Sequence, residues 1–308
     1  MNILISGIAG YLGSVLSPLL LLAGHKVTGV DNFLYNQTSL TDCCRYRNFT
    51  LIRGDCRDGR LMGELIKDAD VIIPLAAIVG APACDRDRTA AVSTNLQAIN
   101  LILGLRSQQQ RIIFPTTNSG YGIGTSEPCT EESPLKPISL YGQLKVDAER
   151  QILEAGNAIT FRFATLFGMS ARMRTDLLVN DFVFRAVKDR YVVLFEAHFR
   201  RNYLHVRDAA MAFIYAIENF DAMKNRPYNV GLPDANLTKG ELCGKIKEHI
   251  KDFHFSEGLD NEDPDKRNYL VNNDRILATG WRPVYSLDDG IEELIKGYQM
   301  FKMPWGNV

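Results

Sequence analysis

The sequence predicts a doubly wound α/β protein: a mainly parallel sheet with helices on both faces, followed by a smaller C-terminal α/β domain. Three observations carry this. Short apolar runs recur through the first half of the 308-residue chain. The segments between them are long enough for crossover helices, and the first run leads into a glycine-punctuated turn and an apolar stretch of helix length.

The elements follow in order. Asn2 to Ser6 is the first strand, and a helix is expected from about Tyr11 to Ala23. Further strands are expected at Lys26 to Val30, Thr50 to Ile52, Val71 to Leu75, Arg111 to Phe114 and Ala158 to Phe163. Leu96, Ile99 and Ile102 share one face of a candidate helix, which suits either the core or an oligomer contact; core is the reading taken. From about Leu166 the pattern loosens into a basic segment (Arg172, Arg174), a helical run from Leu177 to Asp189 and a second basic cluster at Arg200, Arg201 and Arg207. This predicts a first domain over 1–165 and a smaller one over 166–308, with part of 203–232 packing back on the first. Thr238 lies three residues before Glu241, a capping-box spacing that opens a helix to about Ile250; Glu257 to Asp265 reads as a loop. No internal repeat or low-complexity tract is present.

Composition narrows the function. With 46% hydrophobic residues the chain can bury a large core, and a formal net charge of −1 gives no bulk attraction to nucleic acid or an anionic membrane. The six cysteines (Cys43, Cys44, Cys56, Cys84, Cys129, Cys243) form no C-x-x-C pair and the histidines no metal-binding spacing, so buried, reduced thiols and no metal site are expected. The apolar run from Val15 to Leu22 is too short to cross a bilayer and contains Pro18, and a cytoplasmic protein is expected.

Gly7-x-x-Gly10-x-x-Gly13 stands between the first strand and first helix, where a tight turn brings backbone N–H groups to a pyrophosphate. Tyr11 and Leu12 belong to the same turn. Asp31 ends the second strand, where a carboxylate accepts hydrogen bonds from a ribose diol and repels a 2′-phosphate, favouring NAD over NADP. Asn32 beside it and Asp55 and Cys56 after the third strand complete the expected adenosine end.

Tyr141-x-x-x-Lys145 places a phenol and an ammonium on one helix face. The cation is expected to draw the phenol pKa down, making a base for oxidation of an alcohol as hydride leaves the same carbon. Thr116 and Thr117 follow the fifth strand at the C-terminal edge of the sheet, so Thr117 can hydrogen-bond the reacting oxygen. A second pair, Tyr298-x-x-x-Lys302, shows that spacing alone is weak, and it reads as an amphipathic surface pair.

Taken in order, Gly7/Gly10/Gly13, Asp31, Leu75-Ala76-Ala77, Asn95, Thr116-Thr117 and Tyr141-x-x-x-Lys145 resemble the extended short-chain dehydrogenase/reductases that act on nucleotide sugars. That resemblance implies a Rossmann domain holding NAD, with Leu75, Ala76, Ala77, Asn95 and Thr116 at the cofactor. It also implies a C-terminal domain for the nucleotide sugar and a homodimer or homotetramer. The segments 115–124, 170–180 and 200–208 resemble a narrower branch, the GDP-manno-heptose 4-dehydrogenases of capsule synthesis. By resemblance Asn180 and Arg201 hold the diphosphate and Arg267 adds a phosphate contact; Arg174, Asn118 and Ser119 are further substrate candidates. Sugar-nucleotide 4,6-dehydratases carry an Asp-Glu pair directly after the active-site threonine, and the decarboxylase pattern also has an acid there. Here Asn118 and Ser119 occupy those places, which leaves two outcomes: release of a 4-keto sugar, or re-reduction as a 4-epimerase. A non-catalytic NAD-binding scaffold would be expected to have lost part of the Tyr/Lys/Thr set, and all three are present.

Overall fold

Alternate residues of the first strand feed two different cores. In β1 (Asn2–Ser6), Ile3 and Ile5 pack on one face of the sheet with Leu16, Leu20, Ile73 and Ile113, while Leu4 packs on the other with Met62, Ile72, Ile99 and Ile102. A strand apolar on both sides is stable only when both faces are covered. The computed structural model describes residues 1–124, 127–258 and 267–300 and shows that covering on each side.

The main sheet is built from β1, β2 (Lys26–Asp31), β3 (Phe49–Arg53), β4 (Val71–Pro74), β5 (Arg111–Thr117), β6 (Ala158–Phe163) and a strand farther along the chain at Arg226–Val230. All pair in parallel, in the spatial order β3-β2-β1-β4-β5-β6 and then Arg226–Val230 at the edge. One face carries α1 (Gly13–Leu22); the other carries α2 (Gly59–Ile66), the short α3 (Ala81–Arg86) and α4 (Arg88–Val92), α5 (Ala98–Leu105) and α6 (Leu140–Glu154). Ile99 and Ile102 of α5 are buried in the core, as expected, with Leu96 packed against it.

The remainder of the chain does two jobs. β7 (Thr165–Phe167), α7 (Leu178–Lys188), β8 (Tyr191–Leu194), β9 (Arg200–His205), β11 (Asn236–Thr238), α10 (Lys239–His249), β12 (His254–Glu257) and α12 (Leu287–Tyr298) build a separate core. Between them, α8 (Val206–Glu218) returns to pack beside α1, α9 (Phe220–Met223) follows, and β10 (Arg226–Val230) adds the seventh strand; α11 (Asp274–Ala278) packs beside β10. β10 escaped the apolar-run reading because Arg226 and Pro227 open it, residues that an edge strand tolerates. The Thr238/Glu241 capping box forms as expected, and Ser286/Asp289 makes a second one at the start of α12. Part of the expected Glu257–Asp265 loop lies outside the described residues.

Two expectations need correction. β5 runs past Phe114 to Thr117, because Thr116 and Thr117 continue the ladder opposite Arg162 and Phe163. Tyr298 is not a surface residue: it is fully buried, its hydroxyl donating to the Asn180 carbonyl at 3.0 Å, while Lys302 lies outside the described residues. Among the described residues no helix is long and apolar enough to cross a membrane.

Candidate active site

The parallel strands β1, β2, β4, β5 and β6 all end at the same edge, and there the chain encloses a cleft of about 1000 Å³. The glycine-rich turn forms one end. Gly7 has φ +72°, and a Cβ there would sit 2.5 Å from the Ala76 nitrogen; at Gly13 it would sit 2.3 Å from the Ile8 carbonyl oxygen. Only glycine permits both approaches. The first turn of α1 carries no acid, which leaves its N-terminal field free for an anion. Gly10, Tyr11 and Leu12 line the same end of the cleft.

Asp31 is buried at the end of β2. One carboxylate oxygen accepts from Phe33 N at 2.8 Å and from Gln37 Nε2 at 3.3 Å, and the other, among the described residues, accepts only from Ala9 N at 2.9 Å. Burial raises its pKa, while those donors and the Arg172 charge oppose the rise. A lone pair therefore remains for a further donor. Asn32, Asp55 and Cys56 line the cleft nearby, as do Leu75, Ala76, Ala77 and Thr116. Asp55 is ion-paired with Arg57 at 2.6 Å, which holds its carboxyl below the usual range.

Tyr141 and Lys145 lie one turn apart on α6, whose first turn is capped by Ser139 Oγ accepting from Gly142 N at 3.2 Å. Both face the cleft together with Thr117 and Ser119. Lys145 is buried, donates to the Pro115 carbonyl at 3.0 Å and lies 4.5 Å from the centroid of the Phe114 ring. Burial lowers its ammonium to about 8. The Tyr141 ring is partly exposed, but its hydroxyl sits deep enough that burial pushes the phenol up to about 12. The expectation of a phenol lowered by Lys145 is corrected here. The cations that draw Tyr141 down are Arg174 and Arg267, and they offset only part of the burial.

Thr117 Oγ1 donates to Ser119 Oγ at 2.9 Å and accepts from Ser119 N at 3.1 Å. Arg267 also donates to Ser119 Oγ. The expectation that Thr117 itself bonds the reacting oxygen is corrected here, because its proton goes to Ser119; Ser119 joins the threonine to the arginine, and its own proton remains to be given.

Arg174, Arg201 and Arg267 line the cleft. Arg174 and Arg201 are buried; Arg174 is ion-paired with Asp176 at 2.5 Å, and the Arg201 guanidinium lies 5.7 Å from the Tyr269 ring centroid. Three expected ligand contacts stand behind the wall instead. Asn95 is buried and clamps Ile78, its oxygen accepting from Ile78 N and its nitrogen donating to Ile78 O, both at 2.8 Å. Asn180 donates to Tyr11 Oη at 3.2 Å and to the Arg174 carbonyl at 2.9 Å, and accepts from Gly168 N at 3.0 Å, so its amide is spent on the fold rather than on a diphosphate. Asn118 is buried away from the cleft wall, and neither polar atom of its amide has a hydrogen-bond partner among the described residues.

Sequence reasoning missed several lining residues. Lys239 is buried beside Phe199 and donates to the Phe195 carbonyl at 2.7 Å. Asp176 and Asp181 bring acids to the cleft, and Tyr35 meets Arg172, a member of the expected basic segment, across it. No short motif marks these residues; only the fold assembles them.

Residues 3–231 match the NAD dependent epimerase/dehydratase family. The chain is 27% identical to the low-salt glycan biosynthesis protein Agl12 of Haloferax volcanii, over 97% of this chain and 98% of that protein. It is 25% identical to the UDP-glucose 4-epimerase of Corynebacterium glutamicum, over 81% of each. Among solved structures, it resembles a tyrosine-to-phenylalanine mutant of UDP-glucuronic acid 4-epimerase from Bacillus cereus, in complex with UDP-4-deoxy-4-fluoro-glucuronic acid and NAD. The TM-score is 0.87 at 21% identity, covering 97% of this chain and 99% of that one. That likeness is one of fold, and the family match carries the assignment: the chain is an enzyme of the NAD dependent epimerase/dehydratase family.

Proposed function

We propose that this enzyme uses NAD to oxidise the C4 hydroxyl of a nucleotide-activated sugar, GDP-manno-heptose or a related GDP-sugar, to the 4-keto sugar. The observation that carries the reading is a single cleft that runs from the glycine-rich turn and Asp31, past Thr117, Ser119, Tyr141 and Lys145, to Arg267 and Arg201. Gly7, Gly13 and the remaining lone pair on Asp31 suit a dinucleotide, and an NAD bound there supplies the acceptor for hydride from C4.

The chain's own residues do the rest. Tyr141, as phenolate, takes the proton of the C4 hydroxyl, and the Arg174 and Arg267 charges favour that form. Ser119, holding bonds from Thr117 and Arg267, donates to the reacting oxygen and fixes its position. Arg201 and Arg267 offer planar donor forks to the diphosphate.

Lys145 sets a pH limit. Its ammonium is present below about pH 8 and is lost above it, so kcat/KM is expected to fall as pH rises through 8. Lys145→Arg, which keeps its charge, should shift that limb upward. A wild-type profile flat through pH 9 would contradict the role. The stability consequence has the opposite sign: an unfolded lysine titrates near about 10.4, so the unfolded chain binds more protons between the two values and stability rises with pH there.

A 4-epimerase uses the same residues, and the likeness to the Corynebacterium glutamicum UDP-glucose 4-epimerase favours that second reading. Product analysis by NMR after incubation with NAD and GDP-manno-heptose, GDP-mannose or UDP-sugars separates them. A 4-keto sugar with stoichiometric NADH supports the dehydrogenase; a C4 epimer with no net NADH supports the epimerase.

A further inference from the structure

The segment between β7 and α7 crosses from the smaller core to the glycine-rich turn and is tied down there. Tyr11 Oη donates to the Gly168 carbonyl at 2.6 Å, Ser170 Oγ donates to the Tyr11 carbonyl at 2.7 Å, and the Ser14 and Ser170 hydroxyls lie 2.9 Å apart. Arg172 N then donates back to Ser170 Oγ at 3.2 Å, which sets the direction in which the next side chain leaves.

That side chain is Arg172, 6% exposed and lining the cleft. Its guanidinium lies 4.7 Å from the ring centroid of Tyr35, in the loop after β2. Tyr35, Asp31 and Gln37 line the same end of the cleft. The contact therefore spans the opening above the glycine-rich turn, with one pillar from each side. Arg172 also bears on the Asp31 charge, which places it at the ribose end of the cleft rather than beside Tyr141.

We propose that Arg172, steadied by the face of Tyr35, holds the adenosine diphosphate half of the dinucleotide, so that the segment before α7 contributes a cofactor-binding residue and closes the cofactor end of the cleft. This rests on the dinucleotide reading above. Nη1 of Arg172 donates to the Met173 carbonyl, which together with the ring fixes the guanidinium; a cation held in this way presents a preorganised charge to a pyrophosphate, and burial strengthens that attraction.

The test is calorimetric binding of NAD and of ADP, with the rate of NAD release, to wild type, Arg172→Met, Tyr35→Leu and the double variant. Arg172→Met is expected to weaken NAD and ADP alike by about tenfold, mainly through faster release, and to leave GDP and UDP affinity unchanged. Tyr35→Leu should cost less, and the double variant no more than Arg172→Met alone, because the ring acts through the guanidinium. Arg172→Lys, which keeps the charge but not the fork, covers the case in which the methionine variant fails to fold; an intermediate loss is expected. Unchanged NAD and ADP binding in the arginine variants, or a loss confined to GDP or UDP, overturns the assignment. A wild-type protein that binds neither NAD nor ADP overturns the parent reading and this one with it.

Discussion

Tyr141→Phe is expected to bind NAD and the nucleotide sugar about as well as wild type while turnover falls by roughly 10²–10⁴-fold, the range for loss of a general base. The substitution removes one oxygen and keeps the ring, so the wall of the cleft is preserved. Binding calorimetry and single-turnover kinetics on the same preparation check both halves. Loss of turnover with binding intact assigns Tyr141 to the chemical step; equal loss of both makes it a packing residue. The raised phenol adds a further expectation. With burial holding Tyr141 near 12, variants that remove Arg174 or Arg267 should lower kcat, because those cations offset part of the burial.

The largest expected effect on stability lies behind the active site. Glu149, on the helix that carries Tyr141 and Lys145, accepts from Arg162 Nη2 at 2.7 Å and Nε at 3.0 Å. Arg162 Nη1 donates to Tyr121 Oη and to the Glu131 carbonyl, both at 3.0 Å, and Tyr121 Oη donates to Asn229 Oδ1 at 2.7 Å. Both members of the ion pair are buried, with side-chain exposures of 6% and 4%. Glu149→Ala strands a guanidinium in the interior, and denaturant unfolding should show a loss of about 3–5 kcal/mol. Replacing both partners with apolar side chains should recover much of that. A loss below about 1 kcal/mol in Glu149→Ala would show that water or another acid compensates Arg162. Because Tyr121 follows Asn118 and Ser119 in the same short helical turn, the double variant tests positioning too: stability returns but turnover stays low.

What the sequence made legible and what it hid divide along one physical line. β1 and β4 are readable because strands buried on both faces are continuously apolar, and the turn at Gly7 and Gly13 is readable because only glycine fits where the backbone meets Ala76 and Ile8. Tyr141, Lys145, Thr117 and Ser119 do converge on one cleft. Polar residues were harder. Asn95 and Asn180 have the character of ligand contacts in sequence, yet each spends its amide on partners within the fold, a choice that only three-dimensional packing decides. The Lys145 effect on the phenol is hidden for a related reason: helical spacing gives neighbours, but the depth of burial dominates the shifts of both groups. Arg172 stands in a basic segment visible in the sequence, but it meets Tyr35 only because the segment before α7 folds over the turn, so no local pattern announces the contact.

The central claim is that hydride leaves C4 of a nucleotide sugar in this cleft. The most direct measurement is a single turnover of the NAD-loaded enzyme with GDP-manno-heptose, and with UDP-sugars in parallel, deuterated at C4. Enzyme-bound reduced nicotinamide and the position of the deuterium are followed by absorbance and mass spectrometry. The predicted result is deuterium on the nicotinamide, formed more slowly than with the protiated sugar, and absent in Tyr141→Phe. Sugar consumed to a product in which C4 keeps both its deuterium and its configuration, with no reduced nicotinamide at any time in the turnover, would contradict it.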